Sequence, residues 1–240
     1  MHKVEIVCHK GANEYAPENT YASAQLCIDW GMDYVEIDVN RSKDGVFYLL
    51  HGPKVDATTN GHGCITDLTS EVIDSLDAGS WFAPKFAGEK VPRLEPFLAW
   101  IKGKAKVFLD VKEADPQALI TLLADVGMEH DVFFWSDSDQ WALELRTLAP
   151  HLALKINVKS VEEVARAHEI YGATLVEVGL EHMSAALRTA CHSRDIKVMI
   201  YQQEKDLVAF RAVLDWEADL INLNHADAFL DIMRKYQKPD

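Results

Sequence analysis

Apolar residues recur along this chain in two alternating rhythms, and the switching between them predicts its architecture. From about residue 105, short apolar runs alternate with stretches of helical spacing. The runs are Lys106–Val111, Asp131–Trp135, Leu152–Asn157, Thr174–Val178, Ile196–Tyr201 and Asp219–Leu223. Helix signals fill the gaps. Asp115-Pro116 offers an N-cap followed by proline at the first helical position, and Gly127 stands at the exit. Ser160 with Glu163 forms a capping box ahead of a helix closed by Gly172. Two earlier runs, Val4–Cys8 and Tyr34–Val39, flank a segment with Asn19 as candidate N-cap, Trp30 at its end and Gly31 as its stop. Strands alternating with helices at this spacing pair in parallel through crossover helices.

Eight runs therefore qualify as parallel strands. Val46–Leu50 follows Val39 too closely for a parallel crossover, which takes about a dozen residues, and Asp44-Gly45 suits a hairpin. That run reads as an antiparallel return strand. Eight parallel strands in 240 residues predict an α/β fold, a (β/α)8 TIM-type barrel forming a single domain, with an open doubly wound sheet as the competitor. Residues 52–93 break the rhythm, being rich in Gly, Pro, Thr and Asn with aromatics at Trp81, Phe82 and Phe86. The stretch is too long for an ordinary connection and predicts an inserted lid or subdomain after the early hairpin. Its composition leaves little room for a core of its own, so its aromatics are expected on the barrel rim or facing a ligand.

Composition changes this picture in one respect. At 48% hydrophobic and 26% charged, the chain is an ordinary globular protein, neither disordered nor collagenous. Its charge is directional: 24 Lys and Arg stand against 38 Asp and Glu, a formal net charge of −14. Such a background repels duplex nucleic acid and anionic membrane surfaces. A small anionic ligand would need local positive charge from a metal or a few lysines and arginines. Cys8, Cys27, Cys64 and Cys191 are widely spaced without a CxxC pair and read as buried thiols in a reducing compartment. The chain enters its first strand with no charged-then-apolar leader, and runs such as Ala118–Ala124 are too short to span a bilayer. These features predict a cytoplasmic protein without stable membrane insertion.

The strands also carry the candidate chemistry. In Tyr34-Val35-Glu36-Ile37-Asp38-Val39 the apolar positions alternate with Tyr34, Glu36 and Asp38, which places both carboxylates on the inner face, about 6.5–7 Å apart along the strand. Like charges inside a barrel are costly unless a cation or hydrogen bonds compensate. The same design recurs at Val107–Lys112, where Leu109 and Val111 face out while Asp110 and Lys112 face in. Glu36, Asp38 and Asp110 together make a hard, oxygen-rich site suited to Mg²⁺ or Ca²⁺. An inward Lys112 can either neutralise Asp110 or bind a phosphate oxygen. His9 and His51 each end a strand at an abrupt turn, and two histidines opposed across a barrel mouth can serve as acid and base. The histidines at 2, 130, 151, 168, 182, 192 and 225 read as surface or loop residues.

An ordered set of motifs now stands out. His9-Lys10-Gly11-Ala12, Ala16-Pro17-Glu18-Asn19-Thr20, Glu36-Ile37-Asp38-Val39, Lys43-Asp44-Gly45 and His51 are followed by Asp56–Gly63, Leu76-Asp77-Ala78-Gly79, Val91-Pro92-Arg93-Leu94 and Asp110-Val111-Lys112. This series resembles the glycerophosphodiester phosphodiesterase family, densely over the first half of the chain and through barrel rhythm over the second. The resemblance implies a barrel enzyme that uses one divalent cation to hydrolyse glycerophosphodiesters to an alcohol and glycerol 3-phosphate. It implies His9 and His51 as the acid/base pair and Glu36, Asp38 and Asp110 as metal ligands. Lys10 and Lys112 then attract the phosphate, and residues 52–93 form the substrate-covering subdomain.

The chain departs from that pattern at several points. Lys10 replaces an arginine and so loses a planar fork for phosphate. Gly52 replaces the aspartate usual after the second histidine, Asp110 stands where a glutamate is usual, and Ala57 replaces an arginine. Late in the chain, Tyr201-Gln202 replaces Trp-Thr, and the usual Thr-Asp before a proline appears as Asn222-Leu223-Asn224. The third-ligand Asp and the glycine after His51 also resemble the sphingomyelinase D and lysophospholipase D-like phosphodiesterases. A non-catalytic barrel that binds phosphodiesters is the remaining alternative.

Overall fold

The computed structural model describes residues 3–236, so His2 lies outside the described residues. Eight parallel strands close into a barrel: β1 (Glu5–Cys8), β2 (Tyr34–Arg41), β4 (Lys106–Val111), β5 (Val132–Ser136), β6 (Ala153–Asn157), β7 (Leu175–Val178), β8 (Lys197–Tyr201) and β9 (Leu220–Leu223). Closure comes from β1, which pairs in parallel with both β9 and β2. β3 (Phe47–Leu49) returns antiparallel along β2, Asn40 opposite Tyr48, as the short spacing after Val39 requires. The (β/α)8 barrel is therefore the fold, and the open sheet is excluded by the β1–β2 pairing.

Period-two alternation divides each strand between two cores. Val7, Tyr34, Phe108, Phe133, Leu175, Met199 and Leu220 fill the barrel interior. Val35, Ile37, Val39, Leu109, Val111 and their counterparts face outward against the helices. Those helices are α1 (Tyr21–Trp30), α3 (Leu94–Ile101), α4 (Pro116–Val126), α5 (Asp139–Leu148), α6 (Val161–Tyr171), α7 (Ala185–His192), α8 (Leu207–Asp215) and α9 (Ala226–Tyr236). Asp115 caps α4 through its side chain, and Gly127 and Gly172 close α4 and α6 in the left-handed region. Cys8, Cys27 and Cys191 are buried, whereas Cys64 is partly exposed. Among the described residues, no helix is long and apolar enough to cross a membrane.

Two local expectations are corrected. The N-cap of α1 is Thr20, whose hydroxyl accepts from Ser23 N–H in a capping box; Asn19, one residue earlier, sits at φ 57° and turns into the barrel. In the α6 box, Glu163 reaches past Ser160 and accepts from Lys159 N–H at 2.6 Å.

Residues 52–93 contain short 3-10 turns and the helix α2 (Ser70–Ser75). Contrary to the sequence reading, the segment has an apolar cluster of its own. Val55, Ile65, Ile73, Leu76, Ala78 and Val91 close over Tyr48 and Leu50 of the hairpin. Trp81, Phe82 and Phe86 stack edge to face on one another, with Trp81 well exposed.

Candidate active site

The C-terminal ends of the strands open into a cleft of about 800 Å³. His9, Glu36, His51, Asp110 and Lys112 all line it. Asp38 lies just beneath, fully buried, and its carboxylate completes a trio with Glu36 and Asp110 in which one oxygen from each lies within 4.8 Å of the others. The register explains the convergence. Asp38 stands beside Asp110 across β2 and β4, and Glu36 is two residues earlier on the same inner face.

Three carboxylates in a water-poor pocket raise one another's energy. Burial first, then the charges of Asp38 and Asp110, push the Glu36 carboxyl well above its ordinary range, although Lys10 N–H donates to it. Burial and the Asp38 charge push Asp110 up to about 6. Lys112 offsets part of this charge, its ammonium 2.7 Å from Asp110 and 3.2 Å from Asp38. Burial disfavours the Lys112 ammonium, yet the two carboxylates outweigh it and raise its pKa. Of the two readings of Lys112, the neutralising one is seen here, since it pairs with the acids from the cleft wall. Asp110 Oδ1 remains buried without a hydrogen-bond partner. An orphaned carboxylate oxygen within a converging oxygen trio fits a hard divalent cation, whose ligand oxygens lie about 2.0–2.6 Å from the ion.

Asn19 supports this trio from below. Its amide donates to Asp38 Oδ2 at 2.7 Å and accepts from the Asp38 backbone N–H at 3.0 Å. His9 follows β1, with its Nδ1 2.8 Å from Asn224 Oδ1. Burial pulls its pKa down to about 4, against the raising effects of Asn224 and Asp38. His51 stands on the exposed rim beyond β3. Asn40 fixes the turn beneath it by donating to Leu50 O at 2.7 Å and Gly52 O at 3.3 Å.

Lys10 is placed differently from the other candidates. Its ammonium is turned to Glu18 at 3.5 Å and is absent from the cleft lining, while its backbone N–H serves Glu36. The far wall is formed by Trp135, Lys155, Glu177, Tyr201 and Asn222 on the strands, with Arg166 of α6 and His182 beyond. Lys155 is buried against Trp135, 4.6 Å from the ring centroid, and is paired with Glu177 at 3.0 Å. Burial lowers its pKa despite that partner. Lys155 and Glu177 are absent from the sequence-based candidates, although inner-face alternation in Ala153–Asn157 and Leu175–Val178 marks them, and His182, expected as a surface or loop residue, lines the cleft. None of Trp81, Phe82 and Phe86 lines the cleft.

The Glycerophosphoryl diester phosphodiesterase family matches residues 9–228. The chain belongs to this family. A crystal structure of a glycerophosphodiester phosphodiesterase from Agrobacterium tumefaciens superposes with a TM-score of 0.91 at 33% identity, covering 95% of this chain and 100% of that one. The glycerophosphodiester phosphodiesterase of Caldanaerobacter subterraneus is 34% identical over 161 residues, which is 63% of this chain and 65% of that protein. That of Bacillus subtilis is 36% identical over 121 residues, 47% of this chain and 41% of the relative. The matched stretch thus spans less than two thirds of either relative. A phosphodiesterase from Oleispira antarctica, solved with its product sn-glycerol 3-phosphate, shares the fold with a TM-score of 0.86 at 22% identity, covering 96% of each chain.

Proposed function

We propose that this chain hydrolyses glycerophosphodiesters to an alcohol and glycerol 3-phosphate in a reaction that depends on one divalent cation, Mg²⁺ or Ca²⁺. One observation carries the reading: three carboxylates, Glu36 and Asp38 buried and Asp110 partly so, converge at the floor of a cleft that both strand-end histidines line. Glu36, Asp38 and Asp110 would hold the cation, which when bound offsets the charge developing on the phosphoryl oxygens. Membership of the family supports the reaction class.

The chain's own residues divide the remaining work. Lys112, already among the carboxylates, has an ammonium within reach of a phosphate oxygen at the cleft floor. Lys10 adds positive charge once it leaves Glu18, a loose contact at 3.5 Å. One histidine of the His9/His51 pair takes a proton from water or from a neighbouring substrate hydroxyl as the new P–O bond forms. The other protonates the departing alkoxide as the old P–O bond breaks. If the hydroxyl attacks, a cyclic phosphate forms first and water opens it afterwards. The subdomain at 52–93 would cover the substrate from the His51 side, although none of its residues lines the cleft.

The test is turnover of glycerophosphocholine with added Mg²⁺ or Ca²⁺ and after complete chelation, followed by release of glycerol 3-phosphate. Cation-dependent release is expected, and unchanged activity after chelation removes the metal from the reading. Faster turnover of a long-chain lysophospholipid assigns the chain to the lipid-headgroup phosphodiesterases instead. Binding without turnover makes it a phosphodiester-binding barrel.

A further inference from the structure

We infer that Asn224 is a positioning residue that locks His9 in the Nδ1–H tautomer and leaves Nε2 as the cleft's proton acceptor. The inference deepens the acid/base reading above and rests on it for its catalytic consequence. Asn224 follows β9 directly, and His9 follows β1. The two strands pair in parallel, and His9 N–H donates to Leu223 O at 3.1 Å, so the two side chains leave adjacent strand ends. Asn224 Oδ1 lies 2.8 Å from His9 Nδ1 and also accepts from Asn13 Nδ2 at 2.9 Å. An amide oxygen only accepts, so the ring nitrogen facing it must carry the proton.

The orientation of Asn224 is itself held. Asn13 belongs to the loop between β1 and α1, and Tyr15 of that loop donates to Asp227 of α9 at 2.6 Å. The His9 ring rests edge-on against Tyr201, with centroids 6.3 Å apart. With Nδ1 bonded away from the cleft, only Nε2 remains to take a proton from the attacking oxygen. The proton donor to the leaving alkoxide is then His51.

The experiment reads the tautomer directly. In full-length protein labelled with ¹⁵N-histidine, His9 is identified by the signal missing from His9→Gln, and its two ring nitrogens are compared above pH 7. The inference expects a pyrrole-type Nδ1 and a pyridine-type Nε2. The opposite pattern overturns it, whatever the activity. Asn224→Leu should mix the tautomers and lower kcat about tenfold to a hundredfold with KM unchanged, whereas Asn224→Asp, which keeps the acceptor, should restore kcat to within about threefold at pH 8. Equal kcat in the Leu variant and the parent also overturns it. If the tautomer is as expected but His9→Gln turns over normally, the acid/base reading fails and the tautomer assignment stands.

Discussion

Asn19 grips Asp38 at both ends of its amide, donating to the carboxylate at 2.7 Å and accepting from the same residue's backbone N–H at 3.0 Å. The buried carboxylate is thereby aimed at Glu36 and Asp110 before any ligand arrives. Because Asn19 sits at φ 57°, glycine is the substitution that removes the amide without straining the backbone. Asn19→Gly is expected to weaken Mg²⁺ or Ca²⁺ binding about tenfold to a hundredfold. It should also destabilise the protein by about 1–3 kcal/mol, since Asp38 loses a buried partner. Calorimetric titration with the cation, alongside thermal melts, checks both, and unchanged affinity would mean that Asn19 serves folding alone.

The barrel was legible because strands and helices differ in period, and the inner positions of β2 and β4 announced their carboxylates by breaking an apolar alternation. Asn19 was misread because Asn and Thr are both good N-caps, and the sequence does not say which of two neighbours turns inward. The core of residues 52–93 escaped notice for a different reason. Val55, Ile65, Ile73, Leu76 and Val91 meet through turns and follow neither a helical nor a strand period. The Asn224–His9 bond joins residues 215 positions apart, and only closure of the barrel brings them together. Lys155 and Glu177 were readable from alternation. They compensate each other across β6 and β7, although the register sets Lys155 beside Leu175 and Glu177 beside Asn157, so this diagonal pair is seen only once the side chains are placed.

Glu36→Gln should separate folding from metal binding. Glu36 is fully buried beside two other carboxylates, and the amide keeps its shape while removing one negative charge. Metal-free Glu36→Gln protein should therefore melt higher than its parent. Its gain in Tm on adding Mg²⁺ or Ca²⁺ should be much smaller, because a ligand stabilises only as far as it binds the folded state. Equal gains in the two proteins would exclude Glu36 as a ligand.

His9 sets an acid limit that differs from that of an ordinary histidine. Its pKa is held at about 4, below the usual 6.5, so the ring stays neutral and able to accept a proton as pH falls through 6 and 5. Protonation near pH 4 removes the base. The fall in kcat/KM attributable to His9 should thus lie near pH 4 rather than near pH 6.5, measured at saturating cation. The sign for stability follows from the same shift. The unfolded chain takes up its proton first, so the contribution of neutral His9 is present above about pH 6.5 and declines as pH drops towards 4. Replacement by Ala should lower turnover about a hundredfold or more with substrate binding largely kept, and His51→Ala should do the same.

Gly52 is the departure most open to direct reversal. The turn that carries His51 is fixed by Asn40, which holds Leu50 O and Gly52 O, so glycine is not what shapes it. Gly52 lies outside the left-handed region, and a Cβ there would meet Lys54 O at 3.6 Å and Lys54 N at 3.8 Å, ordinary contact distances. Gly52→Asp should therefore fold normally, with stability unchanged or raised by about 0.4–1 kcal/mol through a less flexible unfolded chain. The new carboxylate stands beside His51 at the exposed rim and favours its protonated form, the form a proton donor needs. Turnover of glycerophosphocholine should then persist to higher pH in Gly52→Asp than in the parent, seen as an upward shift of the alkaline limb of kcat/KM. If the alkaline limb stays in place while the protein is folded and binds its cation, His51 is not the group that donates the proton.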